Sequence, residues 1–171
     1  MARHKETKEQ ALFFQIGSEK LIELSLATFG LFGLFWTYSH WRQIASRGED
    51  ISPLLRTLCF PVTQLNLYQR VHARATTDDA APRWHPQRVF VLHLIFVLLP
   101  LYMVATDHSW GALTFMLTLL PNLLVNQTVN RLHDLHLHYF AKNTDLDAID
   151  WTVLIAGLIG WLTLLAYALQ N

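Results

Sequence analysis

Residues 151–169 read WTVLIAGLIGWLTLLAYAL: nineteen positions, none charged, nine of them Leu, Ile or Val. About 20 predominantly apolar residues in a helix cross a hydrocarbon core of roughly 30 Å. At about −0.3 to −0.6 kcal/mol each, the nine aliphatic side chains favour insertion by roughly 3–5 kcal/mol. The stretch reads as a transmembrane helix, with Ala156 and Gly160 as a small-x-x-x-small face for close helix contact. The rest of the fold then depends on how many further segments match it.

Working outward, 141–150 is a polar loop carrying Asp145, Asp147 and Asp150, with Asp150 placed to cap the last helix. Before it, 112–129 is apolar and turns polar toward its end. Thr106–Gly111 is too short for more than a tight turn, and 89–105 is strongly apolar. The first apolar block, Leu21–Trp41, carries Trp36, Tyr38 and Trp41 at its end, where amphipathic rings favour the headgroup level. Ser52 followed by Pro53 signals a helix start, and Pro61 a kink. Helices are thus predicted over about 20–41, 53–73, 89–105, 112–138 and 151–169. Together they make one membrane domain, 1–171: an all-α polytopic transmembrane bundle of four helices if 53–73 lies on the surface, or five if it crosses.

Composition agrees. The chain is 52% hydrophobic and 15% charged, against about 25% charged in soluble domains. Lys plus Arg equals Asp plus Glu, which gives no electrostatic footprint for nucleic acid. The single cysteine, Cys59, excludes an intramolecular disulfide and a CxxC metal site. The long polar lead into the first apolar block, with no A-x-A-like site after it, does not read as a cleaved signal peptide.

Orientation follows Lys/Arg asymmetry in short loops. Five spans put the N-terminus in the cytoplasm; four put it outside. Both models place the 74–88 linker and the 126–150 loop inside and the C-terminus outside.

The order Lys20, Thr28-Phe29-Gly30, Gly33-Leu34-Phe35-Trp36, Tyr38, Trp41-Arg42, then Arg47-Gly48-Glu49-Asp50-Ile51-Ser52-Pro53 and Arg56 resembles a group of small bacterial membrane proteins defined only as a domain of unknown function. The likeness covers residues 18–72, with a fainter echo at Pro121 and Asn130-Arg131-Leu132. It implies a bacterial inner-membrane location, in which the outside C-terminus expected from the Lys/Arg asymmetry is periplasmic. It supplies no activity or cofactor.

Two polar stripes interrupt the apolar segments. Asn122, Asn126 and Asn130 recur at steps of four; Arg56, Thr63, Asn66 and Arg70 recur at steps that keep one helical face. Intramembrane polar groups either bond neighbouring helices or mark a substrate path. The sequence therefore points to a non-enzymatic structural, accessory or interaction protein in the bilayer, partnered by another membrane protein or by itself. In that reading the two stripes face each other. A small transporter or channel using the Asn122/Asn126/Asn130 stripe is the first alternative. A haem or metal protein using His93 with His133 or His136 is the second; His138 points elsewhere. No cofactor is expected, and no P-loop, HExxH or GxSxG motif is present.

Overall fold

The computed structural model describes residues 11–78, 82–136 and 143–170. Among these, every regular element is helical. They are α1 (Ser18–Ala27), α2 (Phe32–Ala45), α3 (Pro53–Leu58), α4 (Phe60–Thr77), α5 (Pro86–Ala105), a 3-10 segment (Ser109–Thr118) continuing into α6 (Leu119–His136), and α7 (Ala148–Gln170). Among the described residues, three stretches are long and apolar enough to cross a membrane: Pro86–Ala105, Trp110–His136 and Ala148–Leu169.

That is fewer than the four or five expected, because the first two predicted helices are both broken. The 20–41 block divides at Thr28–Leu31. Phe29 and Gly30 take positive φ (54° and 89°), the left-handed region that ends a helix. The Gly30 N–H reaches back to the Ser25 carbonyl at 2.7 Å. A Cβ on Gly30 would lie 2.9 Å from the Phe115 carbonyl oxygen, so the turn also needs glycine for room. The 53–73 segment divides at Cys59, two residues before Pro61. A proline removes a backbone bond and crowds the preceding turn, so the break falls ahead of it and Pro61 sits in the first turn of α4.

After the turn, the chain doubles back. α1 starts beside the loop before α7: Lys20 pairs with Asp150 at 2.5 Å, and its ammonium donates to Asn143 Oδ1 and the Asp145 carbonyl. α1 ends halfway along α7, where the Trp161 indole donates to the Leu26 carbonyl and Phe29 packs on Trp161. Gly157 permits this approach, since a Cβ there would lie 2.5 Å from the Ala27 oxygen. The small-residue face is therefore Gly157 with Gly160; Ala156 is exposed. α2 then retraces α6, with Gly33 against Asn122, Trp36 bonded to Asn126, and His40 against Phe13, whose N–H approaches His133 at 3.5 Å. α1 and α2 form a helical hairpin that reaches about 18 Å along α7, the rise from Ala148 to Gly160.

α3 and α4 close the same end. Arg56 stacks on Trp41 at 4.5 Å, Arg70 bonds Glu49, and Asp78 meets His136. α7 begins on a reciprocal cap. Asp147 accepts from the Ile149 and Asp150 N–H groups, and Asp150 accepts from the Asp147 N–H. Asp147, not Asp150, is thus the N-cap, with Asp150 as its capping-box partner. The Asp150 N–H bond in particular holds the Asp147 carboxyl below its usual range.

Candidate functional site

The buried polar groups converge on a strap of non-helical chain, residues 11–17, pressed between α2 and α6. Its Ala11, Phe13, Gln15 and Ile16 are buried. An extended segment in a core cannot satisfy its own backbone, so its carbonyl and N–H groups need side-chain partners. The asparagine ladder supplies them. Asn126 Nδ2 and Asn130 Nδ2 both donate to the Ile16 carbonyl, at 2.9 and 3.0 Å. Gln43 donates to the Ala11 carbonyl at 2.8 Å, and Gln15 Oε1 accepts from the Asn143 N–H. Asn126 also accepts from the Trp36 indole at 3.3 Å.

Asn122, the third rung, belongs to a second knot. Its Oδ1 accepts from the Tyr68 hydroxyl at 3.0 Å, and the same hydroxyl lies 3.0 Å from His93 Nδ1. If Tyr68 gives its one proton to Asn122, then His93 must carry its proton on Nδ1 and donate it. Thr37 donates to Gln64 Oε1 beside this knot. Gln64, Tyr68, His93 and Asn122 are all buried.

The two predicted stripes do not face each other. Arg56, Thr63, Asn66 and Arg70 do share a face, but they bond among themselves and to the 46–52 loop. Arg56 and Arg70 both donate to Asn66 Oδ1, Thr63 donates to the Arg56 carbonyl, and Arg70 pairs with Glu49. Asn66 is exposed. The face of α4 turned to the asparagines is Gln64, Leu67, Tyr68, Val71 and Ala75. Arginines on α4 find neutralising and stacking partners at the rim, whereas a tyrosine satisfies a buried amide with one proton and a large apolar ring. Gln64 and Tyr68 follow the helical period as well as the arginines do; their period was the available signal.

The histidines also separate. His93 joins the Tyr68 knot. His133 lies eleven positions past Asn122 on α6, about 16 Å along the axis, against Phe13. His136 pairs with Asp78, and His138 lies outside the described residues. The structure therefore does not bring His93 to His133 or His136 for one iron. Among the described residues no group of three or more His, Cys, Asp or Glu is placed to hold a metal ion. His40, unremarked in the sequence reading, is fully buried between Trp36, Phe13 and Phe14.

At the opposite end, an open apolar groove of about 600 Å³ is lined by Phe29, Leu31, Val97, Pro100, Leu101 and Phe115 among others. Among the described residues its lining is apolar throughout.

Comparison with protein-family models, with curated proteins and with solved structures finds no match to this chain.

Proposed function

We propose that this is a non-enzymatic bacterial inner-membrane protein that crosses the bilayer three times, by α5, the Trp110–His136 stretch and α7. It acts through contacts within the membrane, as an accessory or structural subunit. The observation carrying this reading is where the asparagine ladder goes: Asn126 and Asn130 bind the Ile16 carbonyl and Asn122 binds Tyr68. A transporter or channel reading requires those amides to line an open polar crevice. Here they are spent on a strap and a tyrosine, and the open groove beside Phe29 and Leu31 is lined by apolar side chains.

The α1–α2 hairpin then enters the bilayer and leaves on the same side. Its turn sits about 18 Å from the Ala148 level, near the middle of a core roughly 30 Å thick. Charge supports this arrangement. No Lys or Arg falls between Arg88 and Arg131, or in 143–171, so the turn after α5 and the last turns of α7, both at the far end, carry no basic residue. The positive-inside rule then puts the N-terminus, the 46–52 loop and the 143–147 loop in the cytoplasm and the C-terminus in the periplasm.

Reporter fusions test this directly. Green fluorescent protein at the N-terminus should be bright, and alkaline phosphatase at the C-terminus active. Alkaline phosphatase inserted at Gly48 should be inactive; activity there would restore the five-span arrangement and sink the hairpin. Co-purification from native membranes tests the accessory role. A stoichiometric membrane protein or a second copy is the expected companion, and substrate-dependent uptake into vesicles by the isolated protein would overturn it.

A further inference from the structure

Around Lys20, Arg131 and Asp150 the cross-section holds α1, α2, α3 and α4 as well as the near halves of α5, α6 and α7. Beyond the Thr28–Leu31 turn, among the described residues, it holds α5, the 3-10 segment and α7. Burial follows the same division. Leu21, Leu24, Trp36, Trp41, Leu67 and Tyr68 are 0–1% exposed, whereas Leu98, Leu101, Tyr102 and Val104 on α5 are 51–68% exposed. On α3 and the start of α4, Leu54, Leu55, Leu58 and Val62 are 61–78% exposed. They widen the charged end further with an apolar rim suited to acyl chains just below the headgroups.

From this asymmetry, and resting on the three-span reading, we infer that the chain is a leaflet wedge. It recognises a curved lipid surface, and it partitions to membrane whose Lys20/Asp150-side leaflet is convex. A body that displaces more area from one leaflet than from the other expands that leaflet. The elastic cost is lowest where the bilayer already bends so that the expanded leaflet is the outer one. The apolar groove, bounded by the turn at Phe29 and Leu31, is filled by acyl chains of the thin side, which have no fixed shape and conform to it.

The test uses the full chain in vesicles of phosphatidylethanolamine and phosphatidylglycerol. Arg47→Cys in a Cys59→Ser background places one thiol in an exposed loop at the wide end; a membrane-impermeant maleimide, normalised to labelling after detergent, reads the fraction facing out. Between vesicles of about 400 nm and about 30 nm, the outward-to-inward ratio should rise about threefold, in the sense that curvature-sensitive insertion requires. A ratio that stays flat overturns the wedge and leaves the span count intact. A parallel Asp107→Cys variant checks the span count itself. It must label from the face opposite Arg47→Cys in every preparation, and labelling from the same face removes the three-span reading and the wedge with it. A Leu101→Cys variant that cross-links between copies in dilute vesicles also overturns the proposal, because a second chain would then fill the thin side.

Discussion

The two ends of this molecule are built on different physics. Toward Lys20 and Asp150, seven helices and a non-helical strap enclose Trp36, Trp41, Leu67 and Tyr68 with a web of buried hydrogen bonds. Toward Ala105 and Leu169, the ends of α5 and α7 present most of their side chains outward. The first end is held as a water-soluble core is held, by shape and by polar satisfaction. The second has no such demand, because lipid tails are as apolar as leucine and reward no particular neighbour. Sensitivity to substitution should therefore fall sharply from the first end to the second, wherever the residue stands in the sequence.

The largest effect is expected where the two regimes meet, at Gly157. A side chain there collides with the Ala27 carbonyl and Cβ, at 2.5 and 2.7 Å, and neither can rotate away. Gly157→Val should lift α1 off α7 and lower detergent-solubilised stability by about 3 kcal/mol, the upper range for overpacking. Thermal unfolding followed by size-exclusion fluorescence reads the loss. Wild-type stability in this variant would mean that the hairpin does not dock on α7, and the contrast between the ends would lose its boundary.

Next comes Lys20, 5% exposed, with Asp150, Asn143 and the Asp145 carbonyl as partners. Lys20→Met leaves a part-buried carboxylate without its cation. Removing one partner of a buried pair costs about 3 kcal/mol in a dry interior; Asp150 keeps its backbone bond to Asp147, so about 2 kcal/mol is expected. Adding Asp150→Asn should return part of the loss, which a double-mutant cycle in thermal unfolding would measure. Strict additivity of the two changes would show that the pair does not couple α1 to α7.

How much of this was legible follows the same division. The thin end was plain in the sequence, because an uninterrupted apolar run such as 151–169 has one interpretation in a bilayer. The thick end was misread where local signals were weak. Thr28-Phe29-Gly30 carries one glycine inside an apolar block, which a helix tolerates at about 1 kcal/mol. The positive φ at Phe29 and Gly30 and their close approach to Gly160 and Phe115 show that the chain turns there. The asparagine period was visible, but its partner was not, since a strap at Phe13–Ile16 has no periodicity to announce it. The arginine stripe was a true helical face assigned the wrong neighbour: charge pulled it to Glu49 and Trp41, and the less conspicuous Gln64 and Tyr68 took the interior.

That exchange can be sharpened with two asparagines on different helices. Asn126→Leu removes bonds to the Ile16 carbonyl and the Trp36 indole, leaving a buried donor without a partner. A loss of about 1–2 kcal/mol is expected. Asn66→Leu, exposed and bonded only to arginines that keep Trp41 and Glu49, should change stability by less than about 0.5 kcal/mol. Equal losses would mean that the α4 stripe is buried after all, and the five-helix arrangement would return.

The smallest effect belongs to the thin end. Leu162 lies one residue past Trp161 on α7 and is 56% exposed. In a soluble core, Leu→Ala costs about 2–5 kcal/mol, because it forfeits transfer from water and opens a cavity. Neither term applies to Leu162. In the proposed three-span arrangement its surroundings are acyl chains whether or not α7 is docked, so no water is excluded by its side chain, and a shorter residue is met by lipid that moves in. Leu162→Ala should leave thermal stability within about 0.5 kcal/mol of wild type and leave insertion intact, since eight aliphatic side chains remain in 151–169. A loss above about 2 kcal/mol would show that Leu162 packs against protein in the membrane. The face of α7 beyond Trp161 would then be an interface, and the wedge would be only the part of a larger assembly that this chain contributes.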